Sequence, residues 1–206
     1  MEWLQAGVRR FQREVFAERQ AKYEAVAHSQ SPHVLFVTCS DSRIDPELLT
    51  GSEPGQMFVA RNPGALVPVY DASVAAGMHA SIEYALAVLG VRHIIVCGHS
   101  DCGAVGGMLY PESVAAVPAV ARWLQYGKQA RARLETEEPF ASDAARLERL
   151  TELNVLEQMA HLETHPSVAA LTANREITIR GWVYEIHTGQ VKRYDPATDK
   201  FLPWPE

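Results

Sequence analysis

"HVLFVTCS" (residues 33–40) is a short, nearly continuous apolar run that ends in a cysteine and a serine. Such a run is typical of a β-strand that is buried on both faces, as the strands of a parallel sheet are. Two similar runs follow along the chain, "QMFVARN" (56–62) and "RHIIVCGHS" (92–100). We therefore expect these three segments to form the centre of a parallel sheet.

Helical segments separate and follow these strands. The stretch 73–90 is rich in alanine and is closed by Gly90, where helices commonly end in a glycine. Two further stretches, 118–134 and 143–163, have apolar residues at helical spacing, and Pro166 marks a break after the second. Strands that alternate with helices indicate parallel βαβ units.

The two ends of the chain add a hairpin and a helix. Residues 177–196 alternate as expected of a strand, a tight turn at Thr188-Gly189 and a second extended segment. The first 27 residues space their apolar side chains as one amphipathic helix. We predict a single α/β domain over residues 1–206, in which helices flank a mostly parallel four-stranded sheet with an added antiparallel edge strand. Because the N-terminal helix (1–27) precedes every strand, we expect it to pack on the partner subunit of a homodimer.

Composition excludes several classes of protein. The chain has 206 residues, 47% of them hydrophobic and 21% charged, which is ordinary for a globular domain. No apolar stretch is long enough to cross a membrane, and the charged N-terminus does not resemble a secretion signal. A formal net charge of −6 without a long basic run argues against nucleic acid as a partner. Three cysteines are too few for a disulfide framework, so we expect reduced thiols and a cytoplasmic protein.

The segment that leaves the first strand carries three reactive side chains at alternate positions. In an extended chain Cys39, Asp41 and Arg43 face the same way. A carboxylate two residues from a thiol can share a metal ion with it, and an arginine can clamp that carboxylate with two parallel hydrogen bonds. The alternative is a turn stabilised by Asp and Ser side chains, with Cys39 merely buried.

A second motif favours the metal. "CGHSDCGAVGG" (97–107) follows another apolar strand and supplies His99 and Cys102. Cys39 and His99 then lie at the carboxyl ends of parallel strands, where open α/β sheets form their sites. Two thiolates and one imidazole suit Zn²⁺, one ion per chain, and three protein ligands leave a fourth position for water or Asp41. This arrangement is typical of a catalytic site.

The paired motif, C-S-D-S-R and about 60 residues later G-H-S-x-C-G, resembles that of the β-class carbonic anhydrases, especially bacterial members associated with cyanate metabolism. The resemblance covers most of the chain. It implies reversible hydration of carbon dioxide to bicarbonate through a zinc-bound hydroxide. It further implies that Cys39, His99 and Cys102 are the zinc ligands, that Asp41 and Arg43 are the catalytic pair, and that Asp41 is a fourth ligand only in a closed state.

The resemblance also implies substrate-binding residues: Gln30, which would donate a hydrogen bond to bicarbonate across a dimer interface, Phe58 and Tyr84 in the cleft wall, and Gly103 in the second motif. For Phe58 and Tyr84 the alternative is core packing. Bicarbonate-inhibited relatives have a tryptophan where this chain has Phe36, which lacks an N–H donor, so we expect the open form. The dimers are expected to pair into a dimer of dimers.

Other interpretations stay open. The same site could hydrolyse carbonyl sulfide or carbon disulfide, or the protein could be a zinc-bearing assembly module without activity. Cys97 is expected to be a buried structural thiol. His161 and His165 are spaced to grip a metal, but an exposed helix end is the favoured interpretation.

Overall fold

The computed structural model describes residues 1–74, 76–137 and 139–205. Its sheet has the strand order β2-β1-β3-β4-β5-β6. The strands are β1 (Val34–Cys39), β2 (Met57–Asn62), β3 (His93–His99), β4 (Thr178–Tyr184), β5 (Val191–Asp195) and β6 (Lys200–Pro203). The first four are mutually parallel, and β5 and β6 are antiparallel. The predicted mostly parallel sheet with an antiparallel addition is confirmed. The short β6 was not predicted, because four residues that end in a proline show no useful alternation.

Helices cover the sheet and extend from it. They are α1 (Glu2–Arg10), α2 (Phe16–Val26), α3 (Pro46–Thr50), α4 (Gly77–Glu83), α5 (Gly103–Leu109), α6 (Pro118–Trp123), α7 (Lys128–Thr136), α8 (Asp143–Glu163) and α9 (Pro166–Ala173). A π-helical turn joins α1 to α2, so the N-terminal segment is one helix, as predicted. The predicted helix over 118–134 is divided by a 3₁₀ turn, Leu124–Gly127. Nowhere in the described chain is a helix long and apolar enough to cross a membrane.

The long helix α8 lies close against the sheet beneath the candidate site. Ser142 caps its first turn, where the Ser142 Oγ accepts a hydrogen bond from the Ala145 N–H at 3.2 Å. Gly98 on β3 and Gly181 on β4 permit the close approach. A Cβ at either glycine would lie 2.9 or 2.8 Å from the side chain of Val155 on α8. The sheet and α8 are therefore held at a distance that side chains on those strands would not allow.

Apolar side chains of the inner strands are buried on both faces of the sheet. Leu35 and Ile94 pack on one side with the α4 and α8 side chains, and Phe36 and Cys97 pack on the other. Cys97 is fully buried, and burial raises the pKa of its thiol to about 12. The prediction that Cys97 is a buried structural thiol is confirmed.

The N-terminal helix stands apart from this core. None of its residues is buried, and Trp3, Leu4 and Val8 expose apolar side chains. Its second half is tied to the body of the protein by Arg19 and Lys22, both of which contact the Glu53 carboxylate. Packing of this exposed helix on a partner subunit stays a prediction.

Candidate metal centre and active site

Two neighbouring strand ends and one helix start bring three metal-ligating side chains together. Cys39 ends β1, His99 ends the adjacent parallel strand β3, and Cys102 immediately precedes α5. Their ligand atoms all lie within 4.8 Å of one another, and the two sulfur atoms are 3.9 Å apart. All three residues are buried, with at most 5% of their surface exposed. The structure thus assembles the ligand set predicted from the two motifs.

The imidazole is prepared to act as a ligand. His99 Nδ1 lies 2.8 Å from the Ser100 carbonyl oxygen, which fixes the proton on Nδ1 and leaves the Nε2 lone pair free. Nε2 is buried and, within the described chain, has no hydrogen-bond partner. A buried unpaired nitrogen of this kind is costly unless something occupies it. A metal ion between His99 and the two sulfurs would remove that cost.

A hydrogen bond joins the two thiols, whose sulfur atoms are 3.9 Å apart. The hydrogen bond with Cys102 lowers the pKa of Cys39 well below its usual value, with help from His99 and the Gly64 N–H. The same contact, together with burial, raises the pKa of Cys102. Two cysteine sulfurs and one imidazole form a donor set that fits zinc, which binds cysteine as the thiolate.

The carboxylate at the mouth of the site is held by the predicted arginine. Arg43 Nε and Nη2 donate to Asp41 Oδ1 and Oδ2 at 3.0 and 2.8 Å, and the Arg43 backbone N–H donates to Oδ1 at 2.9 Å. These hydrogen bonds hold the pKa of Asp41 well below its usual range. Arg43 Nη2 also donates to the Asp101 carbonyl at 3.0 Å. Asp41 Oδ2 lies 3.8 Å from His99 Nε2, so the carboxylate borders the ligand cluster.

A second arginine fixes the segment between these residues. The Arg61 guanidinium, from β2, donates to the carbonyl oxygens of Cys39, Asp41 and Ile44 at 3.0, 2.7 and 2.8 Å. These three bonds hold the backbone that carries the first ligand and the carboxylate. Sequence reasoning did not identify this role, because the three acceptors are backbone atoms.

The predicted substrate residues divide into two groups. Gly103 begins α5 beside Cys102, and a Cβ there would meet nothing within 4 Å, so it borders open space at the site. Phe58 packs on Tyr84, with ring centroids 6.0 Å apart. Phe58 precedes Asn62, the β2 partner of Cys39, by four residues, or ~13 Å along the strand. Gln30 lies before β1, at the end of that strand opposite Cys39. Within one chain, Gln30, Phe58 and Tyr84 are therefore not brought to the metal centre.

The interpretation of His161 and His165 as an exposed helix end was wrong. His165 is 2% exposed, and its Nε2 lies 3.1 Å from the Pro68 carbonyl oxygen. His161 is partly buried, with Nδ1 2.8 Å from the Val67 carbonyl oxygen. The loop after β2 packs on this end of α8, and α9 continues directly from it. Both imidazoles satisfy the backbone of that loop, and neither belongs to the ligand cluster.

The chain is similar to known carbonic anhydrases. Residues 34–191 match the family model described as Carbonic anhydrase. The chain is 46% identical to a carbonic anhydrase of Pseudomonas aeruginosa over 95% of its length and 88% of that protein's. It is 42% identical to carbonic anhydrase 1 of Escherichia coli O157:H7, over 96% of this chain and 89% of that one.

Two solved structures share the fold. The β-carbonic anhydrase CcaA superposes with a TM-score of 0.95 at 35% identity, covering 99% of both chains. One of two tetrameric β-carbonic anhydrases from Sordaria macrospora superposes with a TM-score of 0.83 at 28% identity, covering 93% of this chain and 95% of that one. The likeness therefore extends over nearly the whole chain.

Proposed function

Since the chain belongs to the β-class carbonic anhydrases, and is thus a lyase that reversibly hydrates carbon dioxide with zinc, we propose that Cys39, His99 and Cys102 hold that ion. The observation that carries this assignment is the buried cluster in which their three ligand atoms lie within 4.8 Å of one another. The Asp41 carboxylate is not part of that cluster. Three protein ligands leave a fourth position for water, as in other catalytic zinc sites.

Bound zinc supplies a Lewis acid that makes hydroxide available from water near neutral pH. The chain's own residues position this nucleophile. Asp41 stays ionised because Arg43 stabilises its charge, so it only accepts hydrogen bonds. It can therefore accept a hydrogen bond from the O–H of the hydroxide, which would point a lone pair of the hydroxide oxygen towards the carbon of carbon dioxide. No proton needs to move onto Asp41 in this role.

Arg43 keeps Asp41 in this role and away from the ion. Both carboxylate oxygens already accept hydrogen bonds from the guanidinium, at 3.0 and 2.8 Å. Coordination to zinc would draw carboxylate charge away from the guanidinium and weaken these bonds. The clamp supports the open form expected from the sequence, in which Asp41 is not a ligand.

A second copy of the chain completes the substrate pocket in this proposal. Gln30, Phe58 and Tyr84 lie away from their own metal centre, and Tyr84 is 44% exposed. The exposed apolar helix at residues 1–27 offers a surface for dimerisation. Gly103 would leave room for carbon dioxide beside Cys102. Tetrameric relatives with this fold support a dimer of dimers, and the three free thiols support a cytoplasmic location.

Mixing two inactive variants tests the shared pocket. Cys102→Ala removes a zinc ligand, and Gln30→Ala removes the donor that we assign to the neighbouring site. In a mixed dimer, the Gln30→Ala chain keeps its zinc and receives an intact Gln30 from its partner. Activity should therefore reappear when the variants are unfolded and refolded together. Failure of mixed dimers to gain activity, with dimer formation confirmed by differential tagging, would place Gln30 outside the partner's site.

Stopped-flow hydration of carbon dioxide tests the activity itself, on protein whose zinc content has been measured. Two thiolates donate more charge to zinc than imidazoles do, so the bound water should be less acidic than at a three-histidine site. Turnover should therefore be higher at about pH 8.5 than at about pH 7. No turnover at either pH with one zinc per chain would refute the proposal. The relatives compared above are carbonic anhydrases, so neither a sulfur substrate nor an inactive assembly module is favoured.

A further inference from the structure

A loop on the inner side of the metal centre contacts one ligand directly. This loop, residues 63–68, follows β2 and is called the thiolate loop below. Its Gly64 N–H donates to the Cys39 sulfur at 3.3 Å. Gly64 has φ +84°, and a Cβ there would lie 3.3 Å from Ala104 Cβ. Glycine is therefore favoured twice at this position, by backbone conformation and by space.

The peptide that supplies this N–H is also held at its opposite end. The carbonyl of the same peptide unit belongs to Pro63, and Trp123 Nε1–H donates to that oxygen at 2.8 Å. The hydrogen bonds run in one direction, from the indole to the peptide and from the peptide to the sulfur. A donor on the carbonyl polarises the peptide and strengthens its N–H as a donor.

Polar residues of α8 fix the remainder of the thiolate loop. Asn154 Nδ2 donates to the Gly64 carbonyl at 3.0 Å, and Gln158 Oε1 accepts from the Val67 N–H at 2.8 Å. The two side chains also bond to each other at 3.0 Å and are at most 1% exposed. His161 and His165 continue this polar row towards the end of the loop. Buried polar groups are costly unless paired, so a fully paired row specifies one loop geometry.

We propose that Trp123 and Asn154 are positioning residues that aim the Gly64 N–H at the Cys39 thiolate and thereby limit the charge which this sulfur donates to the metal. The inference rests on the proposed function, because it requires zinc at Cys39. Outer hydrogen bonds orient ligands and tune a bound metal, and hydrogen bonds to sulfur do so in iron–sulfur centres. In a site with two thiolates, one such bond makes the ion a stronger Lewis acid.

Cobalt(II) substitution tests this on the intact protein. Thiolate ligands give sulfur-to-cobalt charge-transfer absorption, whose energy depends on how strongly the sulfur electrons are held. Trp123→Phe removes the indole donor and keeps an aromatic ring. The weakened N–H···S bond should move the absorption maximum to longer wavelength. Because the sulfur then donates more charge, zinc affinity, measured by chelator competition, should not fall below that of the wild type.

Trp204→Phe is the matched control, because Trp204 is 50% exposed near the C-terminus and packs on Trp182. Its absorption maximum and zinc affinity should equal those of the wild type. An unshifted maximum in Trp123→Phe, or an equal shift in both variants, overturns the inference. Absence of the charge-transfer band in the wild-type protein would instead refute the proposed ligands. The two failures are therefore distinguishable.

A second pair of variants addresses the contribution of α8. Asn154→Leu removes the donor to Gly64, and it should shift the absorption in the same direction as Trp123→Phe. Thr151→Val is its control, one turn earlier on α8, because among the described residues the Thr151 hydroxyl bonds only the Leu147 carbonyl of its own helix, at 2.9 Å. A shift in Thr151→Val as large as that in Asn154→Leu contradicts a role for Asn154. If Asn154→Leu does not fold, the tryptophan pair decides the inference.

Discussion

Replacing Arg43 with alanine separates positioning of the carboxylate from binding of the metal. The substitution removes the two guanidinium hydrogen bonds to Asp41, at 3.0 and 2.8 Å, and the bond to the Asp101 carbonyl. Of its hydrogen bonds within the described chain, the Asp41 carboxylate keeps the one from the Arg43 backbone N–H at 2.9 Å, so it can rotate away from the productive orientation. A displacement of about 1 Å costs about 100-fold in rate, and we expect a loss of that order in kcat/KM.

The same substitution should barely change zinc content or stability. Arg43 is not a ligand, and its side chain is 47% exposed, so the change in unfolding free energy should stay below about 1 kcal/mol. Stopped-flow hydration, zinc analysis and thermal unfolding measure the three quantities on one sample. Arg131→Ala, which breaks a surface ion pair with Glu135, is the matched control and should keep full activity. Wild-type turnover in zinc-loaded Arg43→Ala protein would refute the role of Arg43 in positioning the Asp41 carboxylate.

Three further predictions concern the ligands, the helix contact and a buried imidazole. Cys97→Ala should retain one zinc per chain, whereas Cys102→Ala should lose it; equal zinc contents by metal analysis would contradict the ligand assignment. Gly98→Ala places a Cβ 2.9 Å from the Val155 side chain and should lower the unfolding free energy by about 1–3 kcal/mol; an unchanged denaturation midpoint would contradict this close contact. Burial lowers the pKa of His165 in the folded protein below its value of about 6.5 in the unfolded chain, so protonation of this imidazole favours unfolding. The unfolding free energy that is present above about pH 6.5 should therefore be lost as the pH falls from there towards the folded pKa. His165→Gln removes this titration and should lose less thermal stability than the wild type between about pH 7.5 and about pH 5; identical losses would contradict the assignment.

The fold brings the site together by two kinds of support. Neighbouring parallel strands and the start of α5 supply the ligands, while Arg61 and the thiolate loop fix the backbone around them. The first kind follows from strand order, because parallel strands present their carboxyl ends at one edge. The second depends on hydrogen bonds to backbone atoms, which any residue type can provide and no motif records.

The amino-acid sequence by itself determined the parallel core and the chemistry of the site. Continuous apolar runs such as 33–40 identify strands buried on both faces. The extended geometry expected for Asp41 and Arg43 was wrong, because β1 ends at Cys39 and Asp41 starts a turn in which its side chain accepts the Arg43 N–H. The motif around His99 and Cys102 lies within a few residues of a strand end, so its placement also follows from local structure. Short-range spacing was sufficient for the strands and for the second motif.

Only the tertiary structure decided which buried polar residues support the site. The Asn154 side chain bonds to a carbonyl 90 positions away in sequence, and His165 bonds to one 97 positions away. On a helix with apolar spacing, neither residue can be assigned a partner until the loop after β2 is packed against it. The short strand β6 and the distance of Phe58 from its own metal centre also became apparent only in the folded chain. The physical reason is common to these cases: each depends on contacts between segments far apart in sequence, which local spacing does not encode.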